Sequence, residues 1–308
     1  MTHSFQEVAA AWKADKRQWV RKSTYATYAQ LTNHYILPSF GSGQPIDEAS
    51  IQAFSNGLLE RGLSLKTVQD TLILLREILR FGTKIGAWPH IEYQVRYPSR
   101  FQRRHSPAVL SKGQQVKLLN HLRQHFSFPN LGILICLHSG LRIGEVCALQ
   151  WRDLDVAAGV IHVTKTVQRI YLHDGELREY SLSISAPKTP SSNRDIPIAR
   201  ELMKLIRPLR RIMQEEYYVV SNAEEPMEPR YYRDYYYRLL RRLGLPETRF
   251  HSLRHTFATR CIESRCDYKT VSELLGHASI STTLNLYVHP GLDEKKKAVE
   301  QMLRRLGS

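Results

Sequence analysis

Three separated stretches of this 308-residue chain place polar, phosphate-competent side chains where packing alone does not ask for them. In Ser139-Gly140-Leu141-Arg142-Ile143-Gly144-Glu145 the arginine follows a glycine turn at a helix start, so backbone N–H groups and a guanidinium fork can face one anion. Glu145, three residues on, can hold that arginine's surroundings in place. In Phe250-His251-Ser252-Leu253-Arg254-His255, His251 and Arg254 are three apart and share a helix face. His255, four residues from His251, also permits a metal, but Ser252 stands where the zinc-protease motif needs glutamate. In the third stretch Gly276 ends one helix before His277, Ser279 can cap the next, and Tyr287 follows ten residues after His277. Taken singly, each has a plain reading: a surface His–Arg pair, or a tyrosine packed at the end of an amphipathic helix.

Together they are far more specific. The order Arg142, His251-x-x-Arg254, Leu274-Leu275-Gly276-His277 and Tyr287 resembles the tyrosine recombinase (phage-type integrase) family, and the resemblance covers nearly the whole chain. It implies a mainly α fold with a small antiparallel β-sheet. An N-terminal helical bundle (a SAM-like core-binding domain) would occupy 1–94, a basic inter-domain linker 95–107, and an α+β catalytic domain 108–308, with a tail helix at 292–306. The segment Ala186-Pro187-Lys188-Thr189-Pro190 looks like the family's hairpin turn that carries a catalytic lysine, although Lys165 also lies in the β region.

The roles implied fit phosphoryl-transfer chemistry, which needs a nucleophile, a proton for the leaving oxygen, and charge around the non-bridging oxygens. By the resemblance, Tyr287 attacks the scissile phosphate to give a 3′-phosphotyrosyl link and a free 5′-hydroxyl. Its phenol is mostly protonated at neutral pH and needs help. His251 would give it, as general base or as a hydrogen-bond partner of the phosphate. Arg142 and Arg254 clamp the phosphate, His277 adds a donor, Lys188 is the general acid, and Glu145 supports the site structurally. The covalent link conserves the energy of the broken bond, so no cofactor, neither metal nor ATP, is expected. In keeping with this the sequence has no Gly-x4-Gly-Lys-Ser/Thr loop and no carboxylate cluster suited to Mg²⁺.

The chemistry agrees with the charge. Lys and Arg number 44 against 29 Asp and Glu, a net +15 that points to a polyanionic partner, here double-stranded DNA. Residues 1–100 hold 12 basic and 8 acidic side chains, and the remainder 32 and 21, so the second part is the stronger electrostatic partner. The 95–107 segment carries four arginines, two prolines and no acid. Arg96, Arg100, Arg103 and Arg104 are therefore expected on phosphates, together with Lys66 and Thr67 at the start of a helix. By the resemblance a homo-tetramer assembles on DNA, its tail helices docking on neighbouring protomers, with accessory DNA-bending or directionality proteins as further partners. Two readings remain open beside recombination: type IB topoisomerase-like nicking and closing, and a catalytically silent DNA-binding accessory protein.

The elements that must position these residues can be read from periodicity. A capping box at Ser4 and Glu7 opens a helix with Phe5, Val8, Trp12 and Trp19 on its apolar stripe. A second helix starts near Ser23 and is expected to end before Pro38. A third runs from about Asp47 to Arg61, and a fourth from Ser64 with Val68, Leu72, Leu75, Ile78 and Leu79 buried. Helices are expected again near 112–125, 130–139 and 142–149, then strands over 160–164, 180–185 and 195–198 with a turn at 173–175, and helix from Ala199 onward. The Tyr231–Tyr237 aromatic cluster is expected in the core. No apolar run is long enough to span a bilayer, Met1-Thr2-His3-Ser4 opens no signal peptide, and four cysteines are too few for a disulfide framework. A cytoplasmic, nucleoid-associated protein follows, with the bundle beginning almost at Met1 and no arm-binding segment ahead of it.

Overall fold

The computed structural model describes residues 3–43, 45–101, 108–174, 177–186, 190–287, 296, 299–300 and 302–304. The chain divides into two compact units: residues 1–105 with 169–181, and 106–168 with 182–308.

In the first unit α1 (Phe5–Trp19) starts at Ser4, whose hydroxyl accepts the Glu7 N–H while the Glu7 carboxylate accepts the Ser4 N–H. Phe5, Val8 and Trp12 are buried, but Trp19 is 77% exposed. The expected stripe stops short because no residue after Trp12 in this helix is buried. Two short helices follow, α2 (Lys22–Leu31) and α3 (Leu37–Phe40), joined by a π-helical turn over Thr32–Ile36. The expectation that helix ends before Pro38 fails. The wider turn precedes it, and Pro38 falls in the first turn of α3, where its missing N–H costs no hydrogen bond. The helix α4 (Glu48–Glu60) is capped by Asp47, and α5 (Leu65–Lys84) by Ser64, with Val68, Leu72, Leu75, Ile78 and Leu79 in the core.

The start of the segment expected to be a basic inter-domain linker packs on this unit. Val95, Tyr97 and Phe101 pack against its core, and the Gln52 side-chain amide both donates to the Arg96 carbonyl and accepts the Arg96 N–H. Residues 99–101 form a 3₁₀ turn.

The second unit is built on α7 (Phe128–Ser139), whose residues 131–137 are all buried, as a helix apolar on every side must be. It packs with α6 (Lys112–Gln124) and is followed by α8 (Ile143–Cys147). Strands β1 (Leu154–Asp155), β2 (Val160–Val163) and β5 (Arg194–Pro197) form an antiparallel sheet in the order β1-β2-β5, with Ile161 opposite Leu154 and Ile196. The paired strands β3 (Thr166–Asp174) and β4 (Leu177–Ser185) form a separate hairpin, whose residues 169–181 group with the first unit. The sequence reading missed β3, assigning only its last residues to a turn, because Val167 and Ile170 stand three apart and break the period-two alternation that marks a half-buried strand.

Then come α9 (Arg200–Arg210), α10 (Pro229–Arg242), α11 (Ser252–Glu263), α12 (Tyr268–Leu275) and α13 (Ile280–Tyr287). Of the aromatic cluster in α10, Tyr232 and Tyr236 are fully buried core residues while Tyr231 is 63% exposed. The expected tail helix at 292–306 lies largely outside the described residues; within it Val299, Met302 and Leu303 are exposed. No helix among the described residues is long and apolar enough to cross a membrane.

Candidate active site

Two left-handed glycines set up the site. Gly140 (φ 67°) ends α7 and Gly276 (φ 63°) ends α12, and each turns the chain so that the last carbonyls of its helix face the same place. A Cβ on Gly140 would lie 2.6 Å from Phe257 Cδ1 and 2.9 Å from Leu275 Cδ2. Gly140→Ala is therefore expected to cost about 1–2 kcal/mol for the backbone conformation alone, with repacking on top, read as a lowered thermal midpoint.

Three guanidiniums converge on the end of α12. Arg194 Nε donates to the Leu274 carbonyl at 2.7 Å, Arg254 Nη2 to that of Leu275 at 2.6 Å, and Arg142 Nη2 to that of Gly276 at 3.3 Å. Arg254 also donates to the Gly140 carbonyl at 2.9 Å, so one side chain from α11 ties the C-terminal ends of α7 and α12 together. Those ends carry the negative pole of each helix, which is how a guanidinium only 1% exposed is tolerated.

One carboxylate answers them. Glu145, buried on α8, receives Arg142 Nη1 at 2.7 Å and the Arg142 N–H at 2.9 Å, and Arg194 grips both its oxygens at 3.1 and 3.0 Å. Burial works to raise its pKa, but the hydrogen bonds and charge of Arg194, then the charge of Arg142, outweigh that and hold the carboxyl below its usual range. Gly144 lets the start of β3 lie close against α8: a Cβ there would meet Thr166 Oγ1 at 2.5 Å and the Val167 carbonyl at 2.6 Å.

Three arginines against one carboxylate leave this cluster with two positive charges in excess. Arg254 is pushed down to about 9, chiefly by burial of its guanidinium and then by the Arg142 charge. A bound phosphate would supply the missing negative charge. Arg254→Ala is expected to slow strand cleavage by about 10²–10³-fold, the scale for removing one donor to a transition state; a rate within a few-fold of wild type would contradict this.

The imidazoles surround the same spot. His277 follows Gly276, and its Nδ1 lies 2.8 Å from Thr283 Oγ1, which anchors the ring to α13. Burial and then the Arg254 and Arg142 charges lower it to about 4, so it is neutral at pH 7. His251 stands at the start of α11 with one side open to solvent, and burial of the rest of the ring, then His255 and Arg254, lowers it too. Tyr287, at the end of α13, is partly buried against Ala258, Val271 and Leu275. Burial raises its phenol, against the pull of Arg254 and Arg142. The ring whose nitrogen meets its hydroxyl is His255, with Nδ1 at 2.7 Å.

Arg142, Glu145, His251, Arg254, His277 and Tyr287 are thus brought into one cluster by hydrogen bonds, ring contacts and mutual electrostatics. Lys188 lies outside the described residues. Its rival Lys165 is engaged elsewhere, 2.6 Å from Gln150 Oε1 and 3.5 Å from the Asp153 carboxylate. Of the expected DNA contacts, Lys66 is exposed in the first turn of α5 and paired with Asp70, and Thr67 bonds the capping Ser64. Arg96 is exposed, nothing is described of the Arg100 side chain, and Arg103 and Arg104 lie outside the described residues. Sequence reasoning missed two members of the cluster. Arg194 carried no signal beyond being a basic residue near Lys188, and His255 had been weighed only as a metal ligand, although its i+4 spacing from His251 put both on one helix face.

Comparison with known proteins agrees with this architecture. The phage integrase family profile matches residues 109–293, and that of the phage integrase N-terminal SAM-like domain matches residues 4–59. A tyrosine recombinase XerC-like protein of Caldanaerobacter subterraneus subsp. tengcongensis is 26% identical over 305 residues, 92% of this chain and 78% of that protein. The ICEBs1 integrase of Bacillus subtilis is also 26% identical, over 93% of this chain and 78% of its own length. In fold, the chain is similar to the Tn1549 transposon integrase solved in complex with transposon right end DNA, with a TM-score of 0.76 at 20% identity over 98% of this chain and 100% of that one. The chain belongs to the phage integrase family, and its activity is that of a tyrosine recombinase, site-specific DNA recombination.

Proposed function

We propose that the chain cuts and rejoins double-stranded DNA through a 3′-phosphotyrosyl link formed by Tyr287. The observation that carries this reading is the cluster's excess of two positive charges, built from Arg142, Arg194, Arg254 and Glu145, beside a tyrosine hydroxyl already held by an imidazole. Arg142 and Arg254 take the non-bridging oxygens. His277, held at Nδ1 by Thr283 Oγ1, adds a third hydrogen bond at the phosphate. His251 assists at the phosphate, Lys188 protonates the 5′-oxygen, and Glu145 with Arg194 fixes the frame.

The helical unit at the N-terminus is the core-binding domain, closing on the duplex with the 95–107 segment and contacting phosphates through Lys66, Thr67, Arg96, Arg100, Arg103 and Arg104. The enzyme works in the cytoplasm on nucleoid DNA as a homo-tetramer, with accessory bending or directionality proteins. If the clamp neutralises about eight phosphates, log affinity falls with log salt at a slope of about −7; a slope near zero would remove the clamp.

No metal or nucleotide is needed, because the phosphotyrosyl bond stores the energy for rejoining. The test is a nicked suicide substrate bearing the cognate site, incubated with EDTA and without ATP and resolved by denaturing electrophoresis. A covalent protein–DNA adduct is expected. An adduct that forms only when Mg²⁺ or ATP is restored would overturn the cofactor-free reading.

A further inference from the structure

His255 has no role in the motif of Arg142, His251-x-x-Arg254, His277 and Tyr287, yet it is the residue that touches the hydroxyl. It follows Arg254 on α11 and stands one helical turn after His251. Its Nδ1 is 2.7 Å from Tyr287 Oη, and its ring meets that of His251 edge-on, with centroids 4.6 Å apart and planes at 88°. The charged and titratable groups recorded around it are Arg254, His251 and Tyr287. Burial, and then the Arg254 charge, holds the imidazole below its ordinary value, so the ring is neutral at pH 7. A neutral imidazole facing a phenol with an unprotonated Nδ1 accepts the O–H, which is the arrangement a general base needs.

The geometry points to His255 as the group that aims the Tyr287 hydroxyl and takes its proton during attack. The inference rests on Tyr287 being the nucleophile. In the step, the Tyr287 Oη–P bond forms as the P–O5′ bond breaks. The phenolic proton passes to His255 Nδ1 and so stays within the protein, while the leaving 5′-oxygen receives one from the general acid assigned to Lys188, so the protein gives up one proton in all and the DNA gains it as the 5′-hydroxyl. Burial and the Arg254 charge keep the base weak. A phosphate bound to Arg254 and Arg142 brings negative charge that offsets the guanidinium beside His255 and raises its basicity. Activation of the nucleophile is thereby coupled to arrival of the substrate.

Single-turnover adduct formation on the suicide substrate, with full-length protein at saturating concentration, separates the possibilities. His255→Phe removes the acceptor. His255→Asn keeps an acceptor at the place of Nδ1 that takes up no proton. Both are expected to slow adduct formation by about 10²-fold or more at unchanged DNA affinity. Replacing Tyr287 by 3,5-difluorotyrosine, whose phenol is more acidic, is expected to restore at least about tenfold of the rate in His255→Phe, since a nucleophile that ionises more readily depends less on its base. Full activity in His255→Asn, wild-type rates in both variants, or no rescue by the fluorinated tyrosine would each overturn the base assignment. An adduct that persists in Tyr287→Phe would instead overturn the nucleophile on which it rests.

Discussion

Tyr287→Phe is expected to abolish covalent adduct formation, a loss of at least about 10⁴-fold, the order found when a covalent nucleophile is removed. The variant should nevertheless fold and bind DNA normally. The ring remains packed against Ala258, Val271 and Leu275, and only the hydrogen bond to His255 is given up, worth about 1 kcal/mol. Loss of cleavage with intact binding separates a chemical role from a structural one. Burial raises the phenol above its ordinary value, and the Arg254 and Arg142 charges pull against it without outweighing it. A tyrosine placed only for packing would have no need of two guanidiniums that favour its anion.

Glu145→Gln should have the largest effect on stability. The carboxylate is only 4% exposed and is the one acid that balances both Arg142 and Arg194 in the cluster. Its amide would leave two guanidiniums without a countercharge, and breaking one side of a buried ion pair costs about 3–5 kcal/mol. Chemical denaturation of the wild type and variant would measure this. A difference under about 1 kcal/mol, the scale of an exposed pair such as Lys66–Asp70, would show that Glu145 does not hold the frame. The pH dependence has a definite sign. Because the folded state lowers the Glu145 carboxyl below its unfolded value, its contribution is present above that unfolded value and is lost as pH falls through the folded one. Glu145→Gln should therefore remove part of the acid-side loss of stability.

Much of the site could be read from the sequence because its backbone logic is local. The glycines at 140 and 276, the caps at Ser4 and Ser64, and the His251-x-x-Arg254 spacing each depend on a few neighbouring residues. What escaped depends on distance in the chain. Arg194 is bound to Glu145 and to the Leu274 carbonyl, 49 and 80 residues away, and nothing around it signals that partnership. His255 was visible on the same helix face as His251, but which of the two rings meets Tyr287 is decided by how α13 packs on α11, and periodicity does not carry that. The helical reading of the N-terminal unit failed where a π-turn let the chain run through Pro38, and at Trp19, where the apolar spacing outlasted the packed surface. The strand β3 escapes because Val167 and Ile170, three apart, hide its period, so that only the turn at its far end is legible.

The most direct test of the central claim is to locate the covalent bond itself. The wild-type adduct trapped on the nicked suicide substrate would be digested with nuclease and protease and the modified peptide sequenced by tandem mass spectrometry. A nucleotide attached to Tyr287 is the predicted result. Attachment to any other of the 16 tyrosines, or to a serine, would contradict the assignment of the site.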